Sequence, residues 1–354
     1  MRVGGERAIG VIGGSGLYEL EGLTDVRWRR LRTPFGDPSD EYCVGTFEGR
    51  RVIFLPRHGR GHRLMPSELN FRANVWGLKA LGAEWVVSVS AVGSMKEEIR
   101  PLDLVVPHQF YDATRRRVST FFGDGIVAHV GMADPVCPLL AGDLEKAARA
   151  TGATVHRGGT YLCIDGPQFS TKAESWIHRG WGVDVIGMTN MPEAKLAREA
   201  ELCYATLALA TDYDVWHDTH GVVTVEAVIR NLLKNVATAK DVLRRVIPAL
   251  DTSRACECPS LLKDAVITSP AAFPLSTRRR LDLLLGKYFP TETRRTPTCS
   301  TRGRTAAGKN RRTVAGTRRG ESRGGASPLS KQGESRGGAS PLSKQGESRG
   351  GGRG

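Results

Sequence analysis

Short, almost wholly apolar runs alternate along the chain with longer stretches whose apolar residues recur at helical spacing. Ala8–Ile12 is one such run, and it ends in Gly13-Gly14-Ser15-Gly16. Arg51–Pro56, Trp85–Ser90, Thr160–Ile164, Val183–Met188 and Tyr204–Thr211 are others. Runs of this length and composition predict buried strands. Pro66-Ser67 opens a helical stretch that continues through Leu69, Ala73, Trp76 and Leu81 to Gly82. Pro192 suits a first helical turn and predicts a helix over 192–203. Val225, Val228, Ile229, Leu232, Leu233, Val236, Leu243 and Ile247 keep helical spacing and predict a helix over 225–248. Strands alternating with helices imply an α/β fold with a largely parallel or mixed sheet covered by helices. In such sheets ligands sit at the carboxyl ends of strands. The unusual residues of this chain fall there.

The chain has 354 residues, 40 % apolar and 25 % charged, which excludes wholesale disorder. That length fits one large domain or two ordinary ones. No apolar run is long enough for a membrane span, and the first ten residues do not read as a secretory signal. The seven cysteines are odd in number and scattered, which fits a reducing cytoplasm better than a disulfide scaffold. Charge is uneven. Of the net +14, +11 falls on Pro290–Gly354 (12 Arg and 3 Lys against 4 Glu), which leaves +3 for residues 1–289. The tail is low in complexity: the 13-residue unit GESRGGASPLSKQ starts at Gly320, repeats at Gly333 and begins again at Gly346. Such a segment cannot bury enough apolar surface to order itself. Residues 290–354 are therefore expected to be a disordered extension. Its Arg-Gly-Gly steps at Arg323, Arg336 and Arg349 suit RNA or another polyanion, but the last aromatic is Phe289, so nothing there stacks a base. A solvated extension is the reading adopted.

Three strand ends offer donors to an anion. Gly13-Gly14-Ser15-Gly16 exposes backbone N–H groups and the Ser15 hydroxyl. Glu19 stands where a dinucleotide fingerprint needs its third glycine, and no Walker A pattern is present. Arg57-His58 follows the strand 51–56, and an arginine fork matches phosphate oxygens. Ser90, the Ala91 backbone and Gly93 close a third strand. Each has a plain use as a turn or a solvated loop, and together they point to phosphate. His58 and His62 lie on a glycine-rich loop, and with no H-E-x-x-H present no metal centre is expected. Asp212 and Asp214, at i and i+2 after the strand 204–211, suit a turn equally well as an acid pair serving an amine and a ring nitrogen. Phe169-Ser170, after Gly166-Pro167-Gln168, suits stacking on a planar base or plugging the core.

Taken in order, the stretches IGVIGGSGL (9–17), TPFGDPSD (33–40), PRHGRGH (56–62), MPSELNFRANVWGLKALG (65–82), SAVGSMKEEIRPLD (90–103), GPQFSTKAES (166–175) and VIGMTNMPEAKLAREAELCYATLALATDYD (185–214) resemble the trimeric purine nucleoside phosphorylase class, in its methylthioadenosine-cleaving branch. The resemblance covers residues 8–289. It implies a three-layer α/β sandwich with a central mixed, partly barrel-like sheet. It also implies a catalytic domain over 1–289 that ends in a helical segment of about 253–289. The implied reaction is phosphorolysis of S-methyl-5′-thioadenosine to adenine and 5-methylthioribose 1-phosphate, in purine and methionine salvage. Inorganic phosphate is the co-substrate and no other cofactor is expected. Methylthioinosine, adenosine or inosine is the alternative substrate. A scaffold protein acting through its tail is the alternative from another class.

Carried over by position, the resemblance assigns phosphate contacts to Ser15, Arg57, His58, Ser90, Ala91 and Thr189. Met188 packs on the sugar, and Phe169 and Ser170 form the base-pocket loop. Asp212 is the acid at purine N7, and Asp214 lies near the amino edge. Val225, Val228 and Ile229 form the methylthio wall, and His129 is donated by a neighbouring subunit of a homotrimer. Asp212 stands where relatives that take 6-oxopurines commonly have Asn, so adenine is the expected base. Gln168 stands where many members have Arg, and Asp165 where many have Glu. Cys256-Glu257-Cys258 resembles a Cys-x-Cys pair of some microbial members, either a disulfide or two thiols.

Overall fold

In a computed structural model of the chain the described residues are 7–14, 17, 19–217, 225–253 and 255–290, with only the backbone for 225–228. The expectations for Ser15 and for 291–354 lie outside the described residues, as do those for the side chains of Val225 and Val228. The strands are β1 (Ala8–Gly13), β2 (Thr24–Arg29), β3 (Tyr42–Phe47), β4 (Arg50–Pro56), β5 (Ala83–Ser94), β6 (Leu104–Val106), β7 (Gln109–Asp112), β8 (Val155–Arg157), β9 (Thr160–Cys163), β10 (Val185–Gly187) and β11 (Cys203–Asp212). The helices are α1 (Phe71–Ala80), α2 (Pro138–Arg149), α3 (Lys172–Gly180), α4 (Asn190–Glu199), α5 (Val225–Ala249), α6 (Leu275–Arg280) and α7 (Asp282–Leu285).

One mixed sheet holds all eleven strands in the order β2-β3-β4-β1-β5-β10-β9-β7, and β11 leads from β5 to β6 and β8. Alternation along its strands feeds two layers. Ala8, Ile12, Val86 and Val92 join Phe71, Val75 and Leu78 of α1 and Leu196 of α4 on one face. Ile9, Val11, Trp85 and Val87 join Leu140 and Leu144 of α2 and Leu243 and Ile247 of α5 on the other. This is the expected sandwich, a large central sheet flanked by helices. All six strands read from the sequence are present, with ends shifted by a few residues.

The sheet forks at β5. One edge of β5 pairs in parallel with β11 from Trp85 to Gly93. The other edge pairs with β1 only as far as Ser88 and with β10 only at Gly93 and Ser94. Val89–Val92 are left between the two partners. A change of neighbour of this kind opens a crevice at the strand ends.

Two helices differ from the sequence expectation. Pro66–Glu68 is a separate 3-10 turn, and α1 begins only at Phe71. Asn70 causes the break, since its side chain accepts the Ala73 N–H at 3.1 Å and caps the new helix. The helix expected over 192–203 runs from 190 to 199, with a kink at Met191-Pro192, and Cys203 already belongs to β11. The segment 255–289 consists of short turns and the brief helices α6 and α7. No helix of the described residues is long and apolar enough to cross a membrane.

Glu199, at the end of α4, accepts the Thr120 hydroxyl at 2.6 Å and the Phe121 N–H at 2.7 Å. Burial nevertheless pushes its carboxyl up to about 7. A carboxyl raised in the folded state stabilises most below its unfolded value of about 4.3 and loses that contribution as pH climbs to about 7. Glu199→Gln should therefore gain thermal midpoint over the parent as pH is raised from 5 to 8, measured by scanning calorimetry. A constant difference across that range would refute the assignment.

Candidate active site

The crevice beside β5 is a cavity of about 630 Å3. Gly14 and Leu17 enter it after β1, and Arg57 and His58 after β4. Val89–Val92 come from the uncovered part of β5, and Gly93 follows where β10 joins. Phe169 and Ser170 come from the loop after β9, Met188 and Thr189 follow β10, and Thr211, Asp212 and Asp214 end β11. Leu232, Leu233 and Val236 of α5 close one side. Ten of the residues singled out from the sequence thus converge: Arg57, His58, Ser90, Ala91, Phe169, Ser170, Met188, Thr189, Asp212 and Asp214. Ile229 is half exposed and does not line the cavity, whereas Leu232, Leu233 and Val236, one and two turns further on, do. His129 is exposed and lies outside the cavity of its own chain.

Arg57 holds the anion-facing end in place. Its guanidinium is 2 % exposed and grips Glu193 with two bonds, Nε–Oε2 at 3.0 Å and Nη2–Oε1 at 3.1 Å. Nη2 also donates to the Ser88 hydroxyl at 2.6 Å, and Nη1 donates to the Val89 carbonyl at 2.9 Å. Ser88 and Tyr204 donate to the same Glu193 oxygen at 2.7 and 2.9 Å. Burial opposes the guanidinium charge, but the Glu193 carboxylate outweighs it and raises the pKa further. Most of the fork is committed to the protein, and one Nη1 hydrogen remains for a ligand. Glu193 and Ser88 were not identified from the sequence. Glu193 lies three residues after Asn190 in α4 and carries no local motif, so its long-range partner left no signal.

Beside this pair, the Ser90 hydroxyl lies 3.0 Å from the Thr189 hydroxyl and 3.1 Å from that of Tyr161. His58 lies near with Nδ1 at 2.9 Å from the Leu64 carbonyl, which sets the proton on Nδ1 and leaves Nε2 a lone pair. Burial and the neighbouring Arg57 push His58 down to about 4, so it is neutral near pH 7. The end therefore combines one buried cation, two hydroxyls and a neutral imidazole, a set that suits a hydrogen-phosphate oxyanion.

The opposite end carries the carboxyls. Asp212 Oδ1 accepts the Asp214 N–H at 2.8 Å, and Asp212 Oδ2 lies 2.6 Å from the Thr211 hydroxyl. That hydroxyl also lies 3.2 Å from the Val92 carbonyl. The hydroxyl donates to the Asp212 carboxyl, with the Val92 carbonyl as its weaker second acceptor. Burial, helped by the Asp214 charge, raises the Asp212 pKa. Asp214 Oδ2 and Ser170 Oγ are buried with no partner among the described residues. Two orphaned polar atoms in one cavity are ready for the polar edge of a ligand. Gly93 makes the space: a Cβ there would meet Asp212 Oδ1 at 2.9 Å and Ile186 Cγ2 at 3.1 Å. Gly166, at φ +62°, likewise admits the Met188 sulfur, which a Cβ would meet at 2.3 Å.

Residues 8–248 match the Phosphorylase superfamily. An S-methyl-5'-thioadenosine phosphorylase of Geobacter sulfurreducens is 58 % identical over 284 residues, covering 80 % of this chain and 99 % of its own. The enzyme of that name from Hyperthermus butylicus is 52 % identical over 264 residues, covering 73 % and 95 %. Among solved structures, a methylthioadenosine phosphorylase from an antarctic soil metagenomic library superposes with a TM-score of 0.76 at 48 % identity, covering 79 % of this chain and 99 % of its own. One from Schistosoma mansoni, in complex with adenine, gives 0.70 at 36 %, covering 73 % and 99 %. The fold and the cavity are those of a nucleoside-cleaving phosphorylase. Within that class, the chain belongs to the S-methyl-5'-thioadenosine phosphorylase family.

Two substitutions test this geometry. Glu193→Ala leaves the Arg57 charge buried without its counter-ion, which should lower stability by about 3–5 kcal/mol, read by denaturant titration. Gly93→Ala should lower kcat by about 100-fold at unchanged fold, because the added methyl displaces the Asp212 carboxyl by a fraction of an ångström. Full activity in Gly93→Ala would dissociate Asp212 from catalysis.

Proposed function

We propose that this chain cleaves S-methyl-5′-thioadenosine with inorganic phosphate, giving adenine and 5-methylthioribose 1-phosphate. The observation that carries this reading is one cavity with a cationic, hydroxyl-rich end at Arg57, Ser90 and Thr189 and, at the other end, the Asp212 carboxyl, whose pKa burial raises. Phosphate sits at the first end and attacks C1′ as the bond to the purine nitrogen breaks. The bonding pair leaves with the base, and Asp212 delivers its proton to N7. Charge developing on the ring is stabilised by the phosphate and by the preorganised dipoles around it. His58, neutral and with a free Nε2 lone pair, accepts a hydrogen bond from the P–OH of a hydrogen-phosphate ion and turns its unprotonated oxygens toward the sugar. Asp214 Oδ2 accepts the exocyclic amine, Ser170 Oγ bonds the ring edge, and Phe169 covers the base. Met188 packs on the sugar, and Leu232, Leu233 and Val236 receive the methylthio group, whose apolar character matches them.

We also assign Ser15 to the phosphate and Val225 and Val228 to the wall that receives the methylthio group. His129 is exposed in its own chain and reaches a neighbour's cavity in a homotrimer. The reaction is one of salvage in the cytoplasm. The sequence relatives, the apolar wall and the acid pair all support methylthioadenosine over other purine nucleosides.

Chromatographic product analysis tests the reading with methylthioadenosine, methylthioinosine, adenosine and inosine, each with and without phosphate. Phosphate-dependent adenine from methylthioadenosine, released well above that from adenosine, is the expected result. Preferential hypoxanthine release would show that the Asp212 and Asp214 assignments are wrong. Asp212→Ala should lower kcat by about 10²–10⁴-fold, the usual worth of a positioned proton donor.

A further inference from the structure

Four cysteines separated by up to 121 positions in the chain meet at the end of β11 remote from the cavity. Cys137 precedes α2, Cys203 opens β11, and Cys256 and Cys258 lie in the loop after α5. Their sulfurs all lie within 4.8 Å of one another, with Cys203 and Cys256 at 3.5 Å. Cys137, Cys203 and Cys258 are buried and Cys256 is half-buried. A metal held by four thiolates at about 2.3 Å in a tetrahedron sets its sulfurs about 3.8 Å apart. The six distances here need only small adjustments to close on one ion.

We propose that Cys137, Cys203, Cys256 and Cys258 form a structural metal site for a soft divalent cation of the zinc class. No carboxylate or imidazole belongs to the cluster, and an all-sulfur tetrahedral set selects zinc over hard cations. The surroundings suit the net negative charge of such a centre. Cys137 is the N-cap residue of α2, so its sulfur faces the positive end of a helix. Arg198 is buried and bonds Glu257, the residue between two of the ligands, at 3.0 Å. Binding the ion releases the thiol protons to solvent.

The site ties three segments together: the start of α2, the start of β11 and the loop after α5. β11 separates it from Asp212 by about 30 Å at the usual strand rise. Its role is therefore one of stability, and the centre takes no part in phosphorolysis. The sequence expectation of no metal weighed only the histidines. Here a lone Cys-x-Cys is completed by two cysteines from distant elements.

The test uses the full chain, expressed with zinc supplied and purified under reducing conditions without chelator. Elemental analysis should find about one zinc per chain in the parent and in a Cys43→Ser control. The Cys256→Ser/Cys258→Ser double variant should retain none. Cobalt exchanged into the parent should give the intense visible absorption of a tetrahedral thiolate centre, which depends on no variant folding. Stripping the metal should lower the thermal midpoint and leave the turnover of methylthioadenosine at moderate temperature unchanged. Zinc-supplied parent protein that carries no metal, whether its four thiols are reduced or joined as disulfides by mass spectrometry, would overturn the proposal. So would a cobalt spectrum of octahedral type.

Discussion

The arrangement at the cavity depends on a cation buried where water cannot reach it. Arg57 is held by Glu193 from α4, by Ser88 from β5 and by the Val89 carbonyl. An isolated charge in that place would be severely penalised by desolvation, so the pair forms only when β4, β5 and α4 are all in register. The ion pair is weak evidence for net stability, but it is a strong condition on geometry. It draws α4 against the strand ends and presents Thr189, the residue just before that helix, to Ser90. Asn190 extends the same network by donating to the Tyr204 hydroxyl at 2.8 Å. The anion-facing hydroxyls are therefore positioned by a charge pair that mostly faces inward.

The opposite end is governed by a different constraint, the change of strand partner along β5. Because β1 leaves at Ser88 and β10 joins only at Gly93, the intervening backbone is free to line a cavity rather than a ladder. β11 follows β5 to the same point and delivers Asp212 and Asp214 beside Gly93. Both ends of the site are thus hung on one strand. The distance between anion and carboxyl is fixed by the rise of β5 and not by loops, which is the precision that in-line transfer between two sites requires.

Much of this was legible in the sequence for a plain reason. The buried strands are continuous apolar runs, and the reactive residue types stand immediately after them. What escaped was either short or relational. β2 is exposed along nearly its whole length and has no alternation to read. β6, β8 and β10 are three residues each, and only β10 sat inside an apolar run long enough to notice. The helix from Pro66 looked continuous because its apolar spacing carries across Asn70, while the cap that divides it is a single hydrogen bond. α5 was found, but the face it turns to the cavity is set by packing on β11 and α2, so Leu232, Leu233 and Val236 were not singled out as lining residues. Glu193 and Ser88 have no meaning until Arg57 is beside them, and the four cysteines have none until three separate segments meet.

β11 joins these themes. Nine of its ten residues are buried, so its interior is fixed by packing on both faces and has no freedom to bend. Its chemistry is therefore pushed to its ends: Cys203 at the start, Asp212 at the finish. A carboxyl whose pKa is raised by burial needs a support that keeps water out, because hydration would lower it toward that of an ordinary carboxyl. A strand paired with β5 along its length, and with β6 at Ala208 and Leu209, supplies that support. The thiol cluster at the other end fastens the same strand to α2 and to the segment that follows α5. Anchoring the remote end and sealing the reactive one are then two parts of a single mechanical requirement, and most of the sequence between them is apolar core.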